Sequence, residues 1–330
     1  MKDIKDIEKQ IFNIRSFSDF NALSLEIFHY QYTNLPIYKA YIDGLCLNIN
    51  TIRSIDQIPF LPIEFFRIHN VSCFPNSNEL VFSSSITTGS IPSKHFVHKA
   101  EIYRKSILKG FTHFFGSPDK YHIVTLLPSY IERNNASLVF MADFLIEKSG
   151  SSKSGFYLYD HKKLIDKIRF LQKSERKILL LGVTYALLDL AEKHPVKFSD
   201  IIIMETGGMK GRRKEIVREE VHKILCKSFG VSLVYSEYGM TELLSQGYSK
   251  GNGIFETPPW MKVLTRDIND PFTFISAGET GGINIIDLAN LYSCSFIATQ
   301  DLGKLYENGS FEVLGRFDQS DVRGCNLMYK

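Results

Sequence analysis

Thiols are scarce and unpatterned in this chain of 330 residues. Cys46, Cys73, Cys226, Cys294 and Cys325 form an odd, scattered set with no CxxC pair. That argues against both a disulfide framework and a structural zinc site. Long apolar runs are missing as well. The most apolar stretch, residues 178 to 190, is too short to span a bilayer and already contains Asp189. The opening Met1-Lys2-Asp3-Ile4-Lys5-Asp6 is charged where a secretory leader would be apolar. These absences lead to an expectation of a reducing cytoplasm and no membrane span. A surplus of one charge is absent too: 39 Lys and Arg face 36 Asp and Glu, interspersed rather than gathered on one face. Nucleic acid is therefore not an expected partner. The densest cationic run, residues 210 to 214, is followed at once by Glu215, Glu219 and Glu220, as at a solvated helix end. Nine histidines include no HExxH, and no GxSxG, Walker or dinucleotide-type glycine motif is present.

What the chain does have is apolar and aromatic mass, 44% hydrophobic with 25 Phe and 16 Tyr, enough for a large core or an apolar pocket. No repeat or low-complexity linker divides it. The first part reads as mixed helix and loop, and residues 58 to 66 hold two prolines that exclude a regular helix. Residues 99 to 115 have helical spacing, with Ile102, Ile107, Leu108, Phe111 and Phe115 on one broad face. In the middle, apolar runs at 178–181, 201–204 and 231–235 read as buried strands. Helical patterns at 184–193 and 212–229 separate them, the second with Val217, Val221, Ile224 and Leu225 inward. Strand, helix, strand, helix, strand implies a parallel sheet, with ligands at the carboxyl ends of its strands. Two unusual loops are expected there, residues 205–209 and 236–242. Towards the end, strands are expected at 282–286 and 311–314 between Gly, Asn and Asp turns.

Three stretches carry candidate chemistry. In Ser83-Ser84-Ser85-Ile86-Thr87-Thr88-Gly89-Ser90-Ile91-Pro92-Ser93-Lys94, hydroxyls and freed amides can cradle phosphate oxygens while Lys94 offsets their charge; a plain surface loop also fits. In Tyr238-Gly239-Met240-Thr241-Glu242, a ring can stack on a base, Gly permits close approach, Thr can bond a phosphate and Glu can hold Mg²⁺; a strand-capping turn also fits. In Thr299-Gln300-Asp301-Leu302-Gly303 and Gly315-Arg316-Phe317-Asp318, an Asp can accept ribose hydroxyls with an Arg nearby, although each alone reads as a β-turn.

Their order from Ser83 to Asp318 resembles the adenylate-forming superfamily that includes acyl-CoA synthetases and firefly luciferase. Within it the chain resembles the acyl-protein synthetase family, the fatty-acid-activating component of the bacterial luminescence fatty-acid reductase. Residues 58–66, Glu205-Thr206-Gly207-Gly208-Met209-Lys210-Gly211-Arg212, Thr257-Pro258-Pro259-Trp260-Met261-Lys262 and Arg323-Gly324-Cys325 carry that likeness.

The resemblance implies an α/β fold, the large N-terminal domain of adenylate-forming enzymes, with packed mixed and parallel sheets and flanking helices. It implies one such domain over residues 1–330, with sub-layers at 1–80, 81–250 and 251–330 and the small mobile C-terminal domain absent. Ser85, Thr87, Thr88, Gly89 and Lys94 would then handle the ATP phosphates. Gly207, Gly208 and Tyr238 would line the adenine site, Gly239 would belong to the ATP-binding set, and Asp301 and Arg316 would meet the ribose. Thr241 and Glu242 would meet the α-phosphate, with Glu242 on Mg²⁺. The implied reaction turns a carboxylic acid, a fatty acid foremost, and ATP into acyl-AMP and pyrophosphate, then passes the acyl group to a thiol. Cys325 is the candidate thiol; a small buried hydrophobe in a last strand is the equal alternative. CoA or a carrier protein is the alternative acceptor, and an acyl reductase a possible partner. A catalytically degenerate nucleotide- or acyl-binding subunit is the rival outside enzymes. Ile86 and Gln300 depart from the superfamily pattern, which has glycine at both places. The lysine that larger members carry in their C-terminal domain has no counterpart here.

Overall fold

The computed structural model describes residues 3–84, 91–127, 135–157, 160–208 and 216–317. Three helices open the chain: α1 (Ile4–Ile11), α2 (Phe17–Asn34) and α3 (Pro36–Gly44). A capping box starts α2, in which Asp19 N donates to Ser16 Oγ at 3.1 Å and Ser16 N donates to Asp19 Oδ2 at 3.0 Å. Pro36 then stops one helix and begins the next, because it lacks the amide that α2 would need. The proline-punctuated segment forms a two-residue strand β1 (Leu61–Pro62) and, only past its second proline, the single turn α4 (Phe65–Ile68). A hairpin β2 (Leu80–Ser83) and β3 (Lys94–Val97) leads into α5 (Ala100–Phe115), which Gly116 ends at φ 81°.

The central sheet is built from β4 (Tyr121–Leu126), β5 (Gly155–Phe156), β6 (Lys177–Val183), β7 (Ile201–Thr206), β8 (Tyr235–Tyr238) and β9 (Gly247–Ser249). Its order is β5-β4-β6-β7-β8-β9, parallel throughout except for antiparallel β9. The helices α6 (Ser137–Ser149), α7 (His161–Leu171), α8 (Thr184–Lys193) and α9 (Arg218–Phe229) lie between its strands in sequence. Every side chain of β4 is buried, as covering a sheet on both faces requires.

The expected last strand of this sheet was misplaced. Residues 231–235 read as apolar, yet Leu233 is 42% exposed and the pairing begins at Met204↔Tyr235 and runs to Thr206↔Glu237. The ladder follows what β7 offers rather than local hydrophobicity, so polar Ser236 and Glu237 are buried strand residues and not loop. Likewise Glu205 and Thr206 complete β7. Among the described residues helix α9 begins at Arg218, and Val217, expected inward, sits at its N-cap and is 65% exposed. Val221 and Leu225 are buried as expected.

A second sheet runs β10 (Ile254–Phe255), β14 (Phe311–Arg316), β13 (Phe296–Leu305), β12 (Thr280–Asp287), β11 (Met261–Arg266). These pairs are antiparallel, and β1 joins β13 in parallel at Leu61↔Ile297. The stretches around Asp301 and Arg316 are thus strand and not the turns each suggested alone. Aromatic side chains bind the N-terminal helices to this sheet: Tyr38 stacks on Phe296 at 6.2 Å, and Phe28 meets both edge-on.

Candidate active site

Asp301 and Arg316 are register partners on neighbouring antiparallel strands, so their side chains share a face. Arg316 Nε donates to Asp301 Oδ1 at 3.1 Å. From the end of β8 in the other sheet, the Tyr238 hydroxyl donates to Asp301 Oδ2 at 2.7 Å. The carboxylate is nearly buried, whereas the Arg316 side chain is 76% exposed and free to turn towards a ligand. The Tyr238 ring packs against Phe255 at 5.9 Å and Phe311 at 5.5 Å, which also touch each other at 5.4 Å. Burial, then the neighbouring Asp301 charge, pushes its phenol well above the ordinary value, so it is a donor and not an anion.

Glu242 lies beside the base of the β2–β3 hairpin. There Ser84 N donates to Ser93 O at 3.0 Å and Ser93 N to Ser84 Oγ at 2.9 Å, pinning the two ends of the Ser/Thr loop together. Ser85, Thr87, Thr88 and Gly89 lie outside the described residues, as does Cys325. Lys94 stands exposed at the start of β3 opposite Ser83. Glu242 is 5% exposed, and burial raises its carboxyl despite a hydrogen bond with Ser93, its own amide and the charges of Arg316 and Arg67. A half-buried Thr241 precedes it. A cation brought with nucleotide phosphates would relieve that buried charge. Mg²⁺ ordinarily takes one or two protein carboxylates and completes its shell with phosphates and water. Glu242 fits that role; among the described residues no group of three or more acidic, His or Cys side chains forms a cage for a metal.

The third element is the turn after β7. Gly207 at φ 75° and Gly208 at φ 62° are consecutive left-handed residues, a conformation glycine adopts without a Cβ penalty. Behind them Glu205 accepts from Thr184 Oγ1 at 2.6 Å and faces Arg218 Nε at 3.4 Å and His222 Nε2 at 3.7 Å. Thr206 Oγ1 donates to the Glu237 carboxylate. A Cβ on Gly239 would lie 2.5 Å from Glu237 Oε1, so a side chain there would displace the Glu237 carboxylate.

The structure joins Tyr238, Asp301 and Arg316 in one hydrogen-bonded set and places Glu242 beside Ser93 with Thr241 preceding it. Exposed Lys94, by contrast, alternates on its strand with Ser93 and His95, which face that turn. Gly207 and Gly208 occupy the neighbouring strand end. Supporting groups are Glu205 and Glu237, which lie in the two stretches singled out by sequence, and His95, Asp287 and Asn290, which no motif marked. Their one signal is a polar residue within or just after an apolar strand. Gln300, which departs from the family pattern, donates to Glu64 Oε1 at 2.6 Å and ties β13 to the segment after β1.

This fold is the large domain of the adenylate-forming enzymes. The chain belongs to the acyl-protein synthetase, LuxE family, whose sequence model matches residues 15–330. Among solved structures it is similar to ATP-bound MatB from Rhodopseudomonas palustris, 19% identical over 73% of this chain and 49% of that one, TM-score 0.54. It is also similar to 2-hydroxyisobutyryl-CoA ligase in the postadenylation state with 2-HIB-AMP, 12% identical over 92% of this chain and 69% of that one, TM-score 0.66. The chain thus spans about half the length of MatB. No curated protein matches it in sequence.

Proposed function

We propose that the chain activates a carboxylic acid, a fatty acid foremost, by attack on the α-phosphorus of ATP, and then passes the acyl group to a thiol. The observation that supports this most is the junction of Glu242 with the Asp301–Tyr238–Arg316 set. A carboxyl raised by burial and a ribose-type acceptor would hold the two ends of an adenylate. A carboxylate oxygen of the acid forms the new P–O bond while the bond from the α-phosphorus to the bridging oxygen breaks and pyrophosphate leaves. Both reactants are anions, so preorganised positive charge and donors lower the barrier most. Mg²⁺, when bound at Glu242 with the phosphates, would supply charge neutralisation. Thr241 and Lys94 would donate to phosphate oxygens. Asp301 would accept from the ribose hydroxyls, with Arg316 turning outward to make room. Gly207 and Gly208 would let the backbone approach the base.

Cys325 is the proposed first acceptor, with transfer onward to an acyl reductase or carrier protein. Cys73 and Cys294 are poor rivals, since burial pushes the Cys73 thiol up to about 12 and that of Cys294 higher still. The test is pyrophosphate release by the full chain with Mg-ATP over a panel of fatty and aryl acids, with detection of hydroxylamine-sensitive acyl label. Glu242→Gln is expected to lower release about a hundredfold, and Cys325→Ala to abolish label while sparing release. Release without label would move the acceptor to CoA or a carrier. ATP binding without release for any acid would leave a binding subunit.

A further inference from the structure

Behind the Thr241–Glu242 turn lies a cavity of about 10 Å³, lined among others by His95, Val97, Ile102, Leu244, Asn290 and Tyr292. Wholly buried His95 places Nδ1 2.8 Å from the Thr241 carbonyl. A carbonyl only accepts, so Nδ1 carries the proton and Nε2 is an acceptor. Asn290, 1% exposed, donates from Nδ2 to the Glu242 carbonyl at 2.9 Å. Its amide is thereby oriented, and Oδ1 is an acceptor as well. Neither His95 Nε2 nor Asn290 Oδ1 has a hydrogen-bond partner among the described residues. The ammonium of Lys99, which also borders the cavity, is engaged by Glu8 and the Tyr292 hydroxyl.

Two acceptors cannot satisfy each other, and each left bare in the interior costs about 1–3 kcal/mol. The group that resolves this must donate twice, be uncharged and fit a space of roughly one water. We propose that one ordered water donates to both His95 Nε2 and Asn290 Oδ1, closing a clamp on the backbone of Thr241 and Glu242. His95 and Asn290 are then positioning residues. One holds the carbonyl of 241, the other that of 242, and the water joins the holders. Asn290 is itself anchored, because its backbone carbonyl accepts from Gln31 Nε2 at 2.9 Å. The Phe66 ring, edge-on to His95 at 5.7 Å, restrains the imidazole. Consecutive peptide groups held this way fix where Thr241 and Glu242 point. The catalytic consequence rests on the activation reading above; the water and the tautomer do not.

The experiment is a near-atomic-resolution crystal structure of the full unliganded chain, with ¹⁵N-histidine correlation spectra. Expected are a water within about 2.7–3.2 Å of both acceptors and the Nδ1–H tautomer of His95. Asn290→Leu should lose that water and shift the Nε2 resonance. It should also lower kcat for pyrophosphate release about tenfold, with KM for ATP moving far less. Should Asn290→Leu not fold, His95→Asn serves: it keeps a donor for the Thr241 carbonyl but loses the acceptor on the water side, and should lower kcat likewise. An Nε2–H tautomer, or a wild-type structure with no water on these atoms, overturns the clamp. Wild-type kcat in the variants overturns the positioning role. Water and tautomer as expected, in a protein that releases no pyrophosphate with any acid, would support the clamp and count against the activation reading alone.

Discussion

Two buried carboxylates at strand ends, one in each sheet, have opposite fates. Glu205 is the penultimate residue of β7, 5% exposed, and Asp287 ends β12, fully buried. Burial is the largest influence on both and raises both. At Glu205 it is outweighed by hydrogen bonding from His222, the Arg218 charge and the Thr184 and Ser236 hydroxyls, and the carboxyl falls to about 2. At Asp287 the partners are neutral: Leu244 N at 2.8 Å, Ser245 N at 2.9 Å, Ser245 Oγ at 2.6 Å and Ala289 N at 3.1 Å. Neutral donors do not offset the loss of water, and the carboxyl rises to about 6. The His222 hydrogen bond and the Arg218 charge, which have no equivalent at Asp287, keep the buried Glu205 acid charged. The placement suits each role. Charged Glu205 braces the Gly207–Gly208 turn, and Asp287 tethers the backbone just after Glu242.

The largest effect should come from stripping Asp287 of its acceptors. Asp287→Ala leaves three N–H groups and the Ser245 hydroxyl without that partner, and is expected to cost about 4 kcal/mol or more in denaturant unfolding. A loss below about 1 kcal/mol would show that the tether is not structural. Glu205→Gln comes next. A fall from 4.5 to about 2 corresponds to on the order of 3 kcal/mol of stability at neutral pH. Arg218→Met should recover part of that in the Glu205→Gln background, since it removes the uncompensated cation; a purely additive double mutant would deny the coupling.

The pH dependences should run in opposite directions. The Glu205 carboxyl is depressed, so its contribution is present above 4.5 and is lost as pH falls towards 2. The Asp287 carboxyl is raised, so its contribution is full below 3.8 and is lost as pH rises through about 6. The cost of Glu205→Gln should therefore shrink on acidification, while that of Asp287→Asn should shrink between about pH 4 and 6 on alkalinisation. Unfolding curves of the two variants against wild type, measured from acid to neutral pH, check the signs. The smallest effect is expected at Gly208→Ala, about 1 kcal/mol, because the new methyl meets nothing within 4 Å and only the left-handed backbone is strained. A neutral result would mean that the turn relaxes at no cost.

How much was legible follows the same division. The β–α order of residues 178–229 is written in apolar periodicity, and α5 and β6 fall where the pattern puts them. The strand at 235–238 was hidden, because burial of Ser236 and Glu237 depends on partners across the sheet and on His222 rather than on hydrophobicity. The site motifs stood out by residue type, yet their junction was invisible locally: Tyr238 and Asp301 lie 63 residues apart and in different sheets.

The sequence by itself determined the strand–helix order of residues 178–229, the parallel character of the central sheet and the kinship of the motifs, since apolar periodicity and motif order are properties of neighbouring residues. Tertiary structure alone decided which acids are charged, that Gln300 reaches Glu64, and that His95 and Asn290 grip one turn. Those outcomes depend on dielectric surroundings and on distances across the fold, which chain order does not contain.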